Sequence, residues 1–335
     1  MGVTLADILA ARRRIRGIAD ATPFVRSPFM SAKLGQDFLL KLEIAQPTGA
    51  FKLRGAVNAV LGLPGDVPGV VCCSTGNHGR AVAHAAAQRG MRAVVCLSHL
   101  VPKAKVDGIS ALGAEVRVAG TSQDEAMAES LRLRDAEGLV EIPPFDDARV
   151  IAGQGTVALE MLEARPDLEM LLVPLSGGGL AAGVAVAARA VNPGIRVVGI
   201  TMERGAAMHA SIRAGHPVEV PEFPSLADSL GGGIGLHNRL TFALCRDLLD
   251  DILLVTEEEI RDAMQALYFE DRIVAEGAAV VGLAAVLAGK APRPKGPVGT
   301  IVTGRNPDMA VFTRLVAGGD VTLGDLTVKG KTHAA

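Results

Sequence analysis

The chain has 335 residues, of which 49% are apolar and 21% charged, and its formal net charge is -2. That length exceeds what one core usually holds and predicts two domains. The near-neutral charge excludes the electrostatic footprint of a nucleic-acid binder, and with no Trp and one Tyr the chain is poorly supplied for stacking on bases. The one basic run, Arg12-Arg13-Arg14-Ile15-Arg16, reads as the solvated face of a first helix. Four cysteines, at 72, 73, 96 and 245, lack the paired spacing of a zinc site and read as buried thiols in a reducing cytoplasm. The amino-terminal segment has no apolar stretch of the signal-peptide kind. Met170 to Ala188 is uncharged enough to resemble a membrane span, but Pro174 and three consecutive glycines predict strand, turn and helix instead.

In chain order, Val70-Val71-Cys72-Cys73 reads as a buried strand, followed by an Ala-rich helix over 78–89 that stops at Gly90. Ala93 to Leu97 is strand, 103–112 helix stopped by Gly113, and Glu115 to Val118 strand. Ser122-Gln123-Asp124-Glu125 is a capping box opening a helix that ends at Gly138. A glycine after each of three helices suits the left-handed position that closes a helix. The second half repeats this grammar, with strands at Leu171–Leu175, Val197–Ile200, Ile252–Val255 and Gly299–Val302. Helices fall near 180–190, 240–249, 257–270 and 277–288, and Thr256-Glu257-Glu258-Glu259 is another capping box. The tail after about residue 320 reads as weakly structured. Alternating strands and helices predict parallel sheets covered by helices. The expected organisation is a small α/β domain over 69–146 inserted into a larger one made of 1–68 and 147–335, with a ligand in the cleft between them.

Four strings carry chemistry. The first is Pro47-Thr48-Gly49-Ala50-Phe51-Lys52-Leu53-Arg54-Gly55-Ala56. A lysine reacts with a carbonyl only when its amine is neutral, so Lys52 should be desolvated, and Phe51 and Leu53 flank it. Taken alone, Lys52 reads as an ordinary surface lysine at a helix start, since most lysines are solvated; the surrounding string argues otherwise. The second string, Ser74-Thr75-Gly76-Asn77-His78-Gly79, sits between a strand and a helix, where backbone amides and the helix dipole hold an anion such as a substrate carboxylate. Ser74 and Thr75 also suit plain helix capping, and His78 is either a base or a brace for the loop. The third, Ser176-Gly177-Gly178-Gly179-Leu180, presents bare backbone that can wrap a phosphate. Gly177-x-Gly179-x-x-Ala182, with Glu203 further on, also satisfies a dinucleotide fingerprint, so a nicotinamide oxidoreductase is a competing reading. The fourth is Thr303-Gly304-Arg305-Asn306, after the last strand. Glu276 adds an acid that either shuttles protons or caps a helix.

Order and spacing of these strings resemble the fold-type II pyridoxal-phosphate enzymes, and within them the serine/threonine dehydratase branch, over roughly residues 20 to 315. The resemblance implies two three-layer α/β/α domains with pyridoxal 5'-phosphate in the cleft between them. It implies that Lys52 carries the cofactor and removes the substrate's α-proton. Asn77 would bond the ring's phenolic oxygen, Thr303 the pyridine nitrogen, and the Ser176–Leu180 loop the phosphate. Phe51 and Glu276 would flank the ring, and Ser74, Thr75, Gly76 and His78 would receive the substrate. The implied product is a 2-oxo acid with ammonia, the implied partner a small amino acid, and the implied assembly a homodimer, with no nucleic acid or membrane involved. Thr75 stands where racemases of this family carry Ser, so it is a second acid/base candidate and racemase chemistry is the nearest alternative. Thr201, Gly205 and Ala207 stand where a metal-binding set would be expected, so no metal is expected. The strings 202–208 and 227–235 look like the dehydratases of hydroxyectoine breakdown, whose substrate should be a β-hydroxylated diamino acid, with Asp228 or Glu203 meeting its second ammonium.

Overall fold

The computed structural model describes residues 2–74, 76–99, 101 and 103–333. The chain opens with α1 (Leu5–Ile15), β1 (Phe24–Arg26), α2 (Pro28–Leu34), β2 (Phe38–Leu42) and α3 (Lys52–Leu61). Next come β3 (Val70–Cys73), α4 (Asn77–Arg89), β4 (Ala93–Leu97), α5 (Lys103–Ser110), β5 (Glu115–Val118), α6 (Gln123–Glu137) and β6 (Val140–Glu141). The second half runs through α7 (Ala148–Ala164), β7 (Met170–Pro174), α8 (Gly179–Val191), β8 (Arg196–Met202), α9 (Ala207–Ala214) and α10 (Thr241–Leu248). It ends with β9 (Asp251–Val255), α11 (Glu257–Asp271), α12 (Val281–Leu287), β10 (Val298–Val302), α13 (Met309–Val316), β11 (Val321–Leu323) and β12 (Leu326–Val328).

Two sheets organise these elements. The larger has the order β1-β2-β10-β7-β8-β9, all parallel except the β1–β2 edge pair, and the smaller has the parallel order β5-β4-β3-β6. Strands such as Val70–Cys73 and Met170–Pro174 are buried throughout, as strands covered on both faces must be. Both expected capping boxes form, at Ser122/Glu125 and Thr256/Glu259, and a third, Thr4/Asp7, opens α1. Gly90, Gly113 and Gly138 take the positive φ expected after their helices. Met170 to Ala188 is strand, glycine turn and helix, and no described helix is long and apolar enough to cross a membrane.

The carboxyl-terminal tail departs from the expectation of weak structure. β11 and β12 form a hairpin through Gly324, whose φ is +61°. The chain beyond them is tied to α11 by Arg261 donating to the Lys329 carbonyl and Gln265 donating to the Lys331 carbonyl 2.6 Å away.

Below the site lies a buried ionic cluster. Arg54, two residues after Lys52 in α3, is 1% exposed and donates to both Glu43 oxygens at 2.8 Å and to Glu160 at 2.6 and 2.9 Å. Lys41 reaches the same Glu160 at 2.5 Å and the Thr22 carbonyl at 2.6 Å. Two cations thus face two carboxylates. Burial alone would lower the Arg54 pKa, but Glu43 and Glu160 outweigh it and raise it. For Lys41 burial wins and the pKa falls. The cluster joins β2 and the 43–45 turn to α3 and α7, and so sets the position of the helix that begins at Lys52.

Candidate active site

The site is a crevice of about 820 Å³, lined from the large sheet by the glycine loop and Thr303 and from the small sheet by Ser74, Gly76, Asn77 and His78. Parallel topology puts the carboxyl ends of β3, β7 and β10 at this opening, where turns leading into helices leave amides unpaired.

Lys52 is the first residue of α3. A short antiparallel contact places it: Ala50 bridges Gly304, the Phe51 amide donates to the Thr303 carbonyl at 2.9 Å, and the Arg305 amide donates to the Gly49 carbonyl at 2.9 Å. Gly49 needs its φ of +75° for this turn. Residues 252 to 256 apart in the chain therefore meet, and Lys52 and Thr303 line the same crevice. Lys52 Nζ donates to the Pro144 carbonyl at 2.7 Å and lies 5.4 Å from the Phe51 ring centroid. Burial pushes its pKa down from 10.5 to about 8.

The glycine loop follows β7, and α8 opens directly on Gly179 with Gly178 (φ +88°) as its cap. The first-turn amides of a 13-residue helix are thus offered to the crevice without a side-chain cap. The tight fit explains the glycines: a Cβ on Gly177 would fall 2.3 Å from the Phe145 ring, and one on Gly178 2.8 Å from Met208 Cε and 2.9 Å from Cys245 Sγ. Ser176 and Leu180 flank the loop and line the crevice. α4 likewise begins after Gly76 with no side-chain cap bond.

Asn77 lies on the opposite wall. Its Nδ2 donates to Glu276 Oε1 at 2.8 Å, and its Oδ1 accepts from Asn306 Nδ2 at 2.7 Å. Glu276 is buried behind Asn77 and its amide donates to the Gly304 carbonyl at 3.1 Å. His78 is only 3% exposed, and its Nε2 is 2.8 Å from the Ile142 carbonyl, an acceptor, so that nitrogen carries the proton. Burial, and secondarily the Lys52 charge, push its pKa down to about 3. A neutral ring spending its Nε2 proton on backbone is a brace between α4 and the 142–146 segment. Thr75 lies outside the described residues.

These positions fit pyridoxal 5'-phosphate. A desolvated amine, an anion-ready glycine loop, an amide wall and the 3%-exposed Thr303 converge on one crevice. The dinucleotide reading is not supported by its acid, since Glu203 is exposed beyond the end of β8 and is not among the residues lining the crevice. Its part in meeting a second ammonium falls with it, whereas Asp228 lines the crevice. Among the described residues no three His, Cys, Asp or Glu side chains gather as a metal site, and Thr201 is buried with its hydroxyl 3.7 Å from Met202 Sδ.

Four participants carry weak sequence signals. The Pro144 carbonyl and Phe145 belong to a Pro-Pro-Phe run without a motif of its own. Asp146 accepts from the amides of Arg239, Leu240 and Thr241 at 2.7 to 2.9 Å and ties that run to the start of α10. Asn306 sits in a string recognisable from the sequence, but only the folded contact reveals its partner.

Known proteins are similar to this chain. A family model described as pyridoxal-phosphate dependent enzyme matches residues 15–304. A provisionally named threonine dehydratase of Sinorhizobium fredii is 52% identical over 318 residues, covering 94% of this chain and 96% of its own. The L-threonine ammonia-lyase of Thermotoga maritima is 38% identical over 324 residues, covering 96% and 80%. The structure of maize serine racemase superposes with a TM-score of 0.89 at 34% identity, covering 94% of this chain and 97% of that one.

Proposed function

We propose that this chain, which belongs to the pyridoxal-phosphate dependent enzymes of fold type II, removes water from a β-hydroxy amino acid to release a 2-oxo acid and ammonia. The observation that carries the reading is the Lys52 amine, its pKa lowered by burial to about 8, in the same crevice as the glycine loop. The named relatives, a threonine dehydratase and a threonine ammonia-lyase, support the same reaction class.

The cofactor, when bound, supplies a sink for the electron pair left when the substrate's α-proton departs. The chain's residues do the rest. The loop from Ser176 to Leu180 holds the cofactor's anionic arm on backbone amides. The start of α4, with Ser74, Gly76 and Asn77, receives the substrate carboxylate. Lys52, its pKa lowered to about 8 so that the neutral amine is far more accessible than in an ordinary lysine, takes the α-proton. The hydroxyl on the β-carbon leaves with a proton as water, and water returns to free the oxo acid and ammonia. Thr303 would offer a hydroxyl to the ring nitrogen, and a hydroxyl there would not enforce ring protonation as a carboxylate would.

A finer reading concerns the substrate. Among the described residues, six carboxylate residues line the crevice (Asp124, Glu141, Asp146, Glu219, Glu222 and Asp228) against the amine of Lys52. Such a field favours a substrate with a second positive charge, in keeping with the hydroxylated diaminobutyrate that the resemblance to hydroxyectoine dehydratases implies. Asp228, exposed on the crevice wall, is the residue assigned to that charge. The test is oxo-acid release from threonine, serine and a hydroxylated diaminobutyrate. The diamino substrate should lead, and Asp228→Ala should cut its kcat/KM advantage about tenfold, as for a partly solvated charged contact. An unchanged preference would remove Asp228 from the account, and no oxo acid from any of the three would remove the dehydratase reading. The structural match to a serine racemase keeps a second reading in the same assay: a racemase returns the opposite enantiomer without oxo acid.

A further inference from the structure

We propose that Asn306 is a positioning residue that fixes which end of the Asn77 amide a bound molecule meets. The proposal rests on hydrogen-bond polarity. The Thr48 backbone carbonyl only accepts, so the Asn306 atom 3.1 Å from it is its NH2. That NH2 also lies 2.7 Å from the Asn77 side chain, so the Asn77 atom there is Oδ1. The remaining end of Asn77, 2.8 Å from Glu276 Oε1, is then its NH2 facing a carboxylate. Each assignment forces the next, starting from a backbone atom that cannot reverse. Turning the Asn77 amide around would set its oxygen against Glu276 and its NH2 against the NH2 of Asn306.

The surroundings hold this chain in place. A Cβ on Gly49 would lie 3.2 Å from Asn306 Oδ1, and one on Gly304 would lie 2.0 Å from Glu276 Oε1, so backbone closes around both ends. The Asn77 NH2 has two hydrogens and spends one on Glu276, which leaves one for the crevice. Whatever oxygen a ligand presents to Asn77 therefore meets a donor, which favours an ionised oxygen.

The inference assumes that the crevice takes pyridoxal phosphate, and the experiment separates the two claims. The full chain is stripped of cofactor, its unfolding temperature is recorded, and pyridoxal phosphate is titrated back spectroscopically into wild type, Asn306→Ala and Asn306→Asp. Truncation frees Asn77 to rotate and should weaken binding about tenfold. The isosteric Asp presents only acceptors, draws the Asn77 NH2 toward itself and should weaken binding further, to about a hundredfold. A side chain that merely fills space predicts the reverse order, so Asn306→Asp binding as well as or better than Asn306→Ala would overturn the proposal. If the Asp variant does not fold, the cycle of Asn306→Ala with Asn77→Ala decides. Loss of Asn306 should cost almost nothing once Asn77 is gone, and additive losses would overturn it. A wild-type chain that takes up no pyridoxal phosphate would refute the site assignment, and this inference with it.

Discussion

Replacing Lys52 with Met should abolish oxo-acid release, by at least ~10³-fold, because one side chain both anchors the cofactor and moves the α-proton. The same substitution should leave the cofactor-free protein as stable as wild type or more stable at pH 7. The amine is desolvated, with its pKa near 8 against an ordinary 10.5, and it contacts one carbonyl at 2.7 Å. The folded state therefore binds this proton less tightly than the unfolded state. Below about pH 8 both states carry the proton and the full penalty of charging a buried amine is present. Between about 8 and 10.5 the folded state has lost the proton that the unfolded state still holds, so stability rises with pH, and above 10.5 the penalty is gone. Unfolding midpoints of wild type and Lys52→Met, measured from pH 7 to 10.5, should converge as pH rises. A variant less stable than wild type throughout would mean that the amine is held by favourable contacts and is not primed.

Replacing Arg54 with Met should destabilise the chain by about 3–5 kcal/mol, as expected when one member of a buried ionic set is removed. Glu43 and Glu160 would face Lys41 alone, and the buried Glu43 would lose both its Arg54 bonds. The thermal unfolding midpoint of the cofactor-free protein should fall by about 4–7 °C. Arg54→Lys should recover only part of this, since an ammonium cannot make the two-pronged contact. Neutralising a partner together with Arg54, as in Arg54→Met with Glu43→Gln, should cost less than the sum of the singles. Additive losses would show that the cluster does not act as a unit. The site should feel the loss too, because α3 begins at Lys52 and its first turn is pinned by the Arg54 bonds.

The parts of this molecule legible in the sequence were those governed by local rules. Capping boxes, helix-ending glycines and all-apolar strands each depend on a few neighbouring residues, and they formed where expected. The short lysine and glycine strings were readable for a similar reason, since bare backbone and a flanked amine leave a local imprint. Long-range contacts left none. The glycines of α7 and α8 look like helix breakers in a sequence, yet here they are contact points between helices: a Cβ on Gly153 would fall 2.6 Å from the Arg54 carbonyl, and one on Gly183 2.3 Å from the Ile151 carbonyl. The terminal hairpin has strands of three residues, too short for a period to show, and is held by partners some 65 residues away. Glu276 illustrates both sides. Its acid was visible, but its burial behind Asn77 comes from the fold.

The central claim is a covalent one, that the ε-nitrogen of Lys52 holds the cofactor, and borohydride reduction of the cofactor-loaded chain followed by peptide mapping tests it most directly. The account predicts a yellow protein whose colour is fixed by reduction, with the added mass on the peptide that carries Lys52 alone. A colourless protein, or a tag on any other lysine, would contradict it.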